Sequence, residues 1–234
     1  MAAIYKREFI SYFTSPVGYA VLAAFTFFNG IFFYVQCLFI GTSNMSSVFN
    51  SMFSTVIFII PLITMRLFAE DRKNRTDQAL LTAPVSIPSI VAAKFLSALT
   101  LLALCLSVYL IDGLVLSFIA KPDWSVILGN IFGMLLTGSA FIGIGILISS
   151  LTESVIVAAI VSFVVNVLIT LVDTLTSTVS DERASEIIGM VSFQQKYSQF
   201  ALGMISLSDV LFFISITFVA LFITERVIER RRWA

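Results

Sequence analysis

The run VILGNIFGMLLTGSAFIGIGILISSL, residues 126–151, decides the fold class. It contains no charged side chain and exceeds the roughly 20 apolar residues that a helix needs to cross a hydrocarbon core. Residues 17–40 and 155–172 repeat the property. Across all 234 residues, 59% are hydrophobic and 12% charged, whereas a soluble domain is roughly half apolar and about a quarter charged. The chain is therefore an all-α, polytopic membrane protein. Only helices or closed barrels satisfy the backbone inside lipid, and the alternating short segments of a barrel are missing.

Outward from that run, the pattern predicts six spans, at about residues 18–40, 48–68, 90–119, 126–151, 155–172 and 210–228. Pro61 falls inside the second, where a neighbour must satisfy the carbonyl that proline leaves free. Ahead of the first span, Tyr5, Phe9, Tyr12 and Phe13 recur at helical spacing, with Lys6, Arg7, Glu8 and Ser11 mostly elsewhere on the wheel. This predicts an amphipathic interfacial helix over residues 1–16, ended by Ser15 and Pro16, and not a cleavable signal. In the third span Lys94 and Asp112 are the only charges, about 27 Å apart along a helix, so each is expected to reach an opposite interface. Gly129 and Gly133 in the fourth span have the spacing of close helix packing, expected within one protomer. Residues 173–209 are too long for a plain connection, and predict a helical hairpin that dips toward the outer leaflet before the last span.

Six spans put both termini on one side. Lys6, Arg7, Arg66, Arg72, Lys73, Arg75, Lys94, Arg226 and Arg230 to Arg232 share one face. Lys121, Arg183 and Lys196 fall on the other, so the termini are expected in the cytoplasm. The chain has no histidine, which excludes His-based general bases, triads and metal sites. Cys37 and Cys105 both lie in spans and read as packing residues. No phosphate loop occurs, so ATP is not expected to bind this chain. The run Glu70 to Asp77 reads as a solvated charge cluster. After it, Thr76, Asp77, Gln78, Leu80, Leu81 and Thr82 predict a short capped cytoplasmic helix stopped by Pro84, with Leu80 and Leu81 exposed for a partner to push on. Asn29, Gln36 and Asn166 are candidate cavity residues within the spans; such residues also serve to bond helix to helix.

The segment Leu67-Phe68-Ala69-Glu70-Asp71-Arg72-Lys73, then Thr76 and Leu80-Leu81-Thr82-Ala83-Pro84-Val85-Ser86, resembles the coupling-helix region of ABC type-2 transporter permeases. That family commonly has Gly, Leu and Glu where Arg75, Asp77 and Gln78 stand here. Ala140 to Gly145 with Ile148 to Glu153, and the ending Val227 to Trp233, resemble the same family, and look like its gliding-motility branch, the GldF-like permeases. The resemblance implies a permease of an ATP-driven exporter in a bacterial inner membrane. It would pair with a second permease copy or homologue and with separate ATPase subunits, which would hold ATP and Mg. Residues 69–89 would be the coupling region, with Glu70, Arg72, Arg75, Thr76, Asp77, Gln78, Leu80, Leu81 and Thr82 toward the ATPase, and the interfacial helix would serve as a gate. No cofactor on this chain and no nucleic-acid partner are expected; membrane lipid is. A membrane-embedded binding or scaffold subunit without ATP-driven turnover is the competing class.

Overall fold

The computed structural model describes residues 1–76, 78, 85–178 and 192–232. Among them are helices, turns and no strand. Six stretches are long and apolar enough to cross a membrane: Pro16–Phe39, Ser46–Lys73, Ile87–Ile119, Trp124–Leu151, Val155–Val172 and Leu207–Arg231. The protein is a multi-pass membrane protein.

The first helix, α1 (Ala2–Thr14), stops where Ser15 turns extended, and Pro16 opens α2 (Pro16–Phe33) at the position where a missing N–H costs nothing. The elbow is tight: a β-carbon on Gly18 would sit 2.6 Å from the Tyr12 carbonyl oxygen. The C-terminal end of α2 widens into a π-helical segment, Tyr34–Phe39. Next, α3 (Ser46–Thr64) carries Pro61 in its interior. The carbonyl that a residue at position 61 would otherwise bond is that of Ile57. It accepts from Asn166 Nδ2 at 3.3 Å. One of the three candidate cavity residues thus repairs the proline break.

A five-residue helix, α4 (Ala69–Lys73), follows directly. The third span divides into α5 (Ile87–Leu106) and α6 (Val108–Ile119) at Ser107. Both of its charges are buried against other helices. The Lys94 side chain is fully buried, and Asp112 is buried against Asn29, whose Nδ2 donates to Asp112 Oδ2 at 2.6 Å. Gln36 likewise turns inward, donating to Ser51 Oγ at 2.9 Å. Asn29, Gln36 and Asn166 therefore each bond one helix to another within the protomer, and the structure does not bring them together.

At the centre stands α7 (Trp124–Leu151), which is mostly buried and leaves Leu128 and Phe132 exposed on one flank. Its glycines admit a different neighbour at each level. A β-carbon on Gly145 would lie 2.3 Å from Thr64 Oγ1 of α3, and one on Gly138 would lie 2.3 Å from Leu102 of α5. Gly143 faces Ala220, while Gly129 and Gly133 face Gly203 and Phe200. The GxxxG pair thus serves packing within the chain. Beyond α7, α8 (Val155–Thr178) leaves Ile156, Ile160, Val164 and Leu168 exposed.

Of the hairpin expected over residues 173–209, residues 179–191 lie outside the described residues. Its later part is α9 (Phe193–Ala201), started by Ser192 Oγ accepting from the Gln195 N–H at 3.1 Å. Phe193, Tyr197 and Phe200 of α9 are buried. Tyr197 stacks on Phe53 at 4.8 Å and its hydroxyl donates to the Asn130 side-chain oxygen. So α9 is a wedge among α3, α7 and the last helix, α10 (Leu207–Arg232).

Candidate functional site at the basic end

Three elements converge where α3 ends and α5 begins, and all three carry charge. Lys94, in the second turn of α5, has an ammonium with three donors and finds three acceptors. These are Glu8 Oε1 of α1 at 3.0 Å, Asp71 Oδ2 of α4 at 2.6 Å, and the Leu67 carbonyl at 2.5 Å. The ring of Phe68 lies 5.0 Å from the same ammonium. Two carboxylates and a carbonyl together match the three donors of this buried ammonium. Arg7 adds the second positive charge, 2.6 Å from Glu8 and 3.6 Å from Asp71, so the cluster is neutral.

A second arginine fastens the same helix. Arg66 donates through Nε to Glu70 at 2.8 Å, through Nη2 to Ser11 Oγ at 3.0 Å and through Nη1 to Ser15 Oγ. Its guanidinium lies over the Tyr12 ring, and the Tyr12 hydroxyl donates to the Ile63 carbonyl at 2.8 Å. Tyr5 donates to Thr100 Oγ1 of α5 at 3.1 Å, and the Phe9 ring packs between Tyr5 and Phe13. The helix α1 is thus bound to the bundle along its length. Glu8 and Ser11, which the wheel places away from the aromatic stripe, turn inward to Lys94 and Arg66.

From the other side, α4 is anchored on α7. The Ser149 hydroxyl donates to the Met65 carbonyl and accepts from the Phe68 and Ala69 N–H groups, each at 3.1 Å. Arg72 pairs with Glu153, in the turn between α7 and α8, at 2.5 Å. Two stretches that carry the family resemblance, 81 positions apart, meet at one hydroxyl. Asp71 is therefore not a solvated member of a charge run: its side chain keeps 17% exposure, against 41% for Glu70.

Past α4 the chain reaches Arg75, whose φ of 57° is left-handed. Glycine adopts that conformation without strain, and Arg75 stands where the resembled pattern has glycine. The Thr76 hydroxyl donates back to Asp71 Oδ1 at 2.8 Å. Gln78 is exposed. Asp77, Leu80, Leu81 and Thr82, and with them most of the expected coupling helix, lie outside the described residues. Beside the cluster is an open cleft of about 220 Å³ bounded by Arg7, Glu8, Arg66 and Asp71.

Chemically, the arrangement is a strut. It joins α1, α4, α5 and the α7–α8 turn through ion pairs, and among the described residues offers no nucleophile held by a base. A family model described as ABC-2 type transporter matches residues 1–176, which span α1 through nearly all of α8. The chain belongs to that family. A comparison with curated proteins returns no match. The protein is accordingly the membrane-spanning permease subunit of an ABC transporter, and not itself an ATPase. In this permease the sequence points to the α3–α5 connection but not to its key partners. Glu8, Asp71 and Lys94 lie on separate elements and carry no local spacing signal. The detectable hint was a lysine inside an apolar span, which at such depth requires a partner.

Proposed function

We propose that this permease is the translocation half of an exporter driven by separate ATPase subunits, with α4 and α1 as the elements that receive the stroke. The observation that carries the reading is the Lys94 cluster, which ties α1 and α4 to α5 in one ion-paired unit. A push delivered to residues 69–89 would move α1 together with the spans because a shared buried ammonium joins them. The ATPase would contact Glu70, Arg72, Arg75, Thr76, Asp77, Gln78, Leu80, Leu81 and Thr82, and would hold ATP and Mg itself. Two permease copies, or one with a homologue, would enclose the path. The exposed apolar faces of α2 and α8 are available for lipid and for that second copy.

The reading places the Arg- and Lys-rich end in the cytoplasm of a bacterial inner membrane, because basic residues crowd the termini and the α3–α5 connection. Membership in the GldF-like branch rests on the stretches 140–153 and 227–233. The test is purification of the tagged chain from its native membrane, followed by nucleotide hydrolysis in proteoliposomes. An ABC ATPase should co-elute, and the double change Leu80→Asp with Leu81→Asp should abolish stimulated hydrolysis while the permease stays inserted. Unchanged association and hydrolysis in that variant would refute the coupling assignment. A permease that binds ligand with no ATPase in any preparation would leave the scaffold class standing instead.

A further inference from the structure

Asp112 sits in α6, seven residues before its end at Ile119, roughly 10 Å along the helix from the nearest boundary of the span. It is 7% exposed. Among the described residues no lysine or arginine pairs with it. The titratable groups around it are Cys37 of the π segment and Tyr109 one turn earlier in α6, with Cys105 of α5 beyond Tyr109, and none of these supplies a positive charge. From α7, Trp124 and Ile127 press on the adjoining Gly113 and are both without charge. This contrasts with Lys94 in the same span, where every donor is matched by an acceptor.

The partner of Asp112 is informative in its own right. Asn29 is fully buried on α2, and its Nδ2 donates to Asp112 Oδ2 at 2.6 Å. Asn29 Oδ1 is buried and receives no hydrogen bond. A carboxylate has only acceptors to offer, and would leave both that oxygen and its own charge uncompensated in an apolar surround. A carboxylic acid has one O–H donor and one remaining acceptor oxygen. Against a primary amide it closes two hydrogen bonds: amide N–H to acid oxygen, and acid O–H to amide oxygen. The second of these supplies the donor that Asn29 Oδ1 lacks.

We infer that Asp112 and Asn29 form a proton-binding site within the membrane, occupied in this conformation and joining α6 to α2 as an acid–amide pair. The ligand is a single proton on the Asp112 carboxyl. Loss of that proton keeps the Nδ2–Oδ2 bond but leaves the acid oxygen and Asn29 Oδ1 as two acceptors with no donor between them, so the α2–α6 contact weakens with proton loss. The inference needs neither the ATPase nor the assigned sidedness, and it stands or falls separately from the exporter reading.

Infrared spectroscopy of the full chain in lipid nanodiscs tests it, with melting temperature followed in parallel. At neutral pH an ordinary aspartate is protonated in about one molecule in a thousand. Here many times that fraction should be, as a carboxylic C=O band that vanishes in Asp112→Asn and stays in Asp209→Asn. The wild-type melting temperature should drop on mild alkalinisation while that of Asp112→Asn stays level. If Asp112→Asn does not fold, Asn29→Leu serves, and should shift the same band to the frequency of an acid without its hydrogen bond. Absence of the acid band at neutral pH, or an equal alkaline drop in wild type and Asp112→Asn, would overturn the inference. So would loss of self-association in Asp112→Asn, which would mean an ionised Asp112 pairing with a cation of a second copy.

Discussion

Replacing Lys94 with methionine keeps the length and apolar stem of the side chain and removes its charge and donors. The change strands two carboxylates and the Leu67 carbonyl that now share one ammonium. Breaking a buried ion pair from one side costs roughly 3–5 kcal/mol. Two features reduce that here. Arg7 remains, 2.6 Å from Glu8 and 3.6 Å from Asp71, and those carboxylates keep 11% and 17% exposure. The expected loss is about 2–4 kcal/mol. It should be read by reversible unfolding in mixed micelles. Adding Glu8→Gln and Asp71→Asn to Lys94→Met should recover at least half of the loss, since no anion is then left bare. A loss below about 1 kcal/mol, the scale of an exposed pair, would show that the cluster is solvated and joins nothing. A triple variant no better than the single one would show that packing of the lysine stem, and not charge, is what the site uses.

Asn166→Leu should cost about 1 kcal/mol by stranding the Ile57 carbonyl, and the cost should vanish in a Pro61→Ala background, where a backbone N–H returns; a double-mutant cycle on unfolding free energy checks it. Gly145→Ala should destabilise by about 1–3 kcal/mol because α3 and α7 must part around Thr64, and Thr64→Ala should relieve part of the defect in the same melting assay. Arg75→Gly should hold or raise stability by up to about 1 kcal/mol, since it removes left-handed strain from a side chain with a β-carbon; a melting temperature several degrees lower would contradict this. Single cysteines placed at Lys73 and Ser180, in a chain lacking Cys37 and Cys105, should be labelled from opposite faces of the membrane, and labelling of both from one face would invert the proposed orientation.

The spans were legible because a run without charge has one explanation in a chain this apolar. The glycine pair at positions 129 and 133 also read correctly, since small residues at that spacing admit a neighbour whatever the neighbour is. Side-chain destinations were not legible. Lys94 and Asp112 look symmetrical in sequence, two charges near the ends of one span, yet one is neutralised by carboxylates 86 and 23 positions away and the other leans on an amide 83 positions away. Helix periodicity reports which side a residue faces and not what stands there. The same limit applies to Asn166: a polar residue in a span signals a bond to be made, and only the fold shows that the bond goes to the carbonyl Pro61 set free.

A helix packed against a different neighbour at each level also restricts how the chain can change in length. Each residue advances an α-helix by about 100°, so inserting or deleting one position midway along α7 would turn Gly138, Gly143 and Gly145 away from Leu102, Ala220 and Thr64 in a single step. On α8, with a broad outward apolar face, the same slip exchanges one aliphatic side chain for another. Insertions and deletions among descendants of this sequence should therefore accumulate in loops and along α8, while α7 keeps its length and substitutes only between small residues.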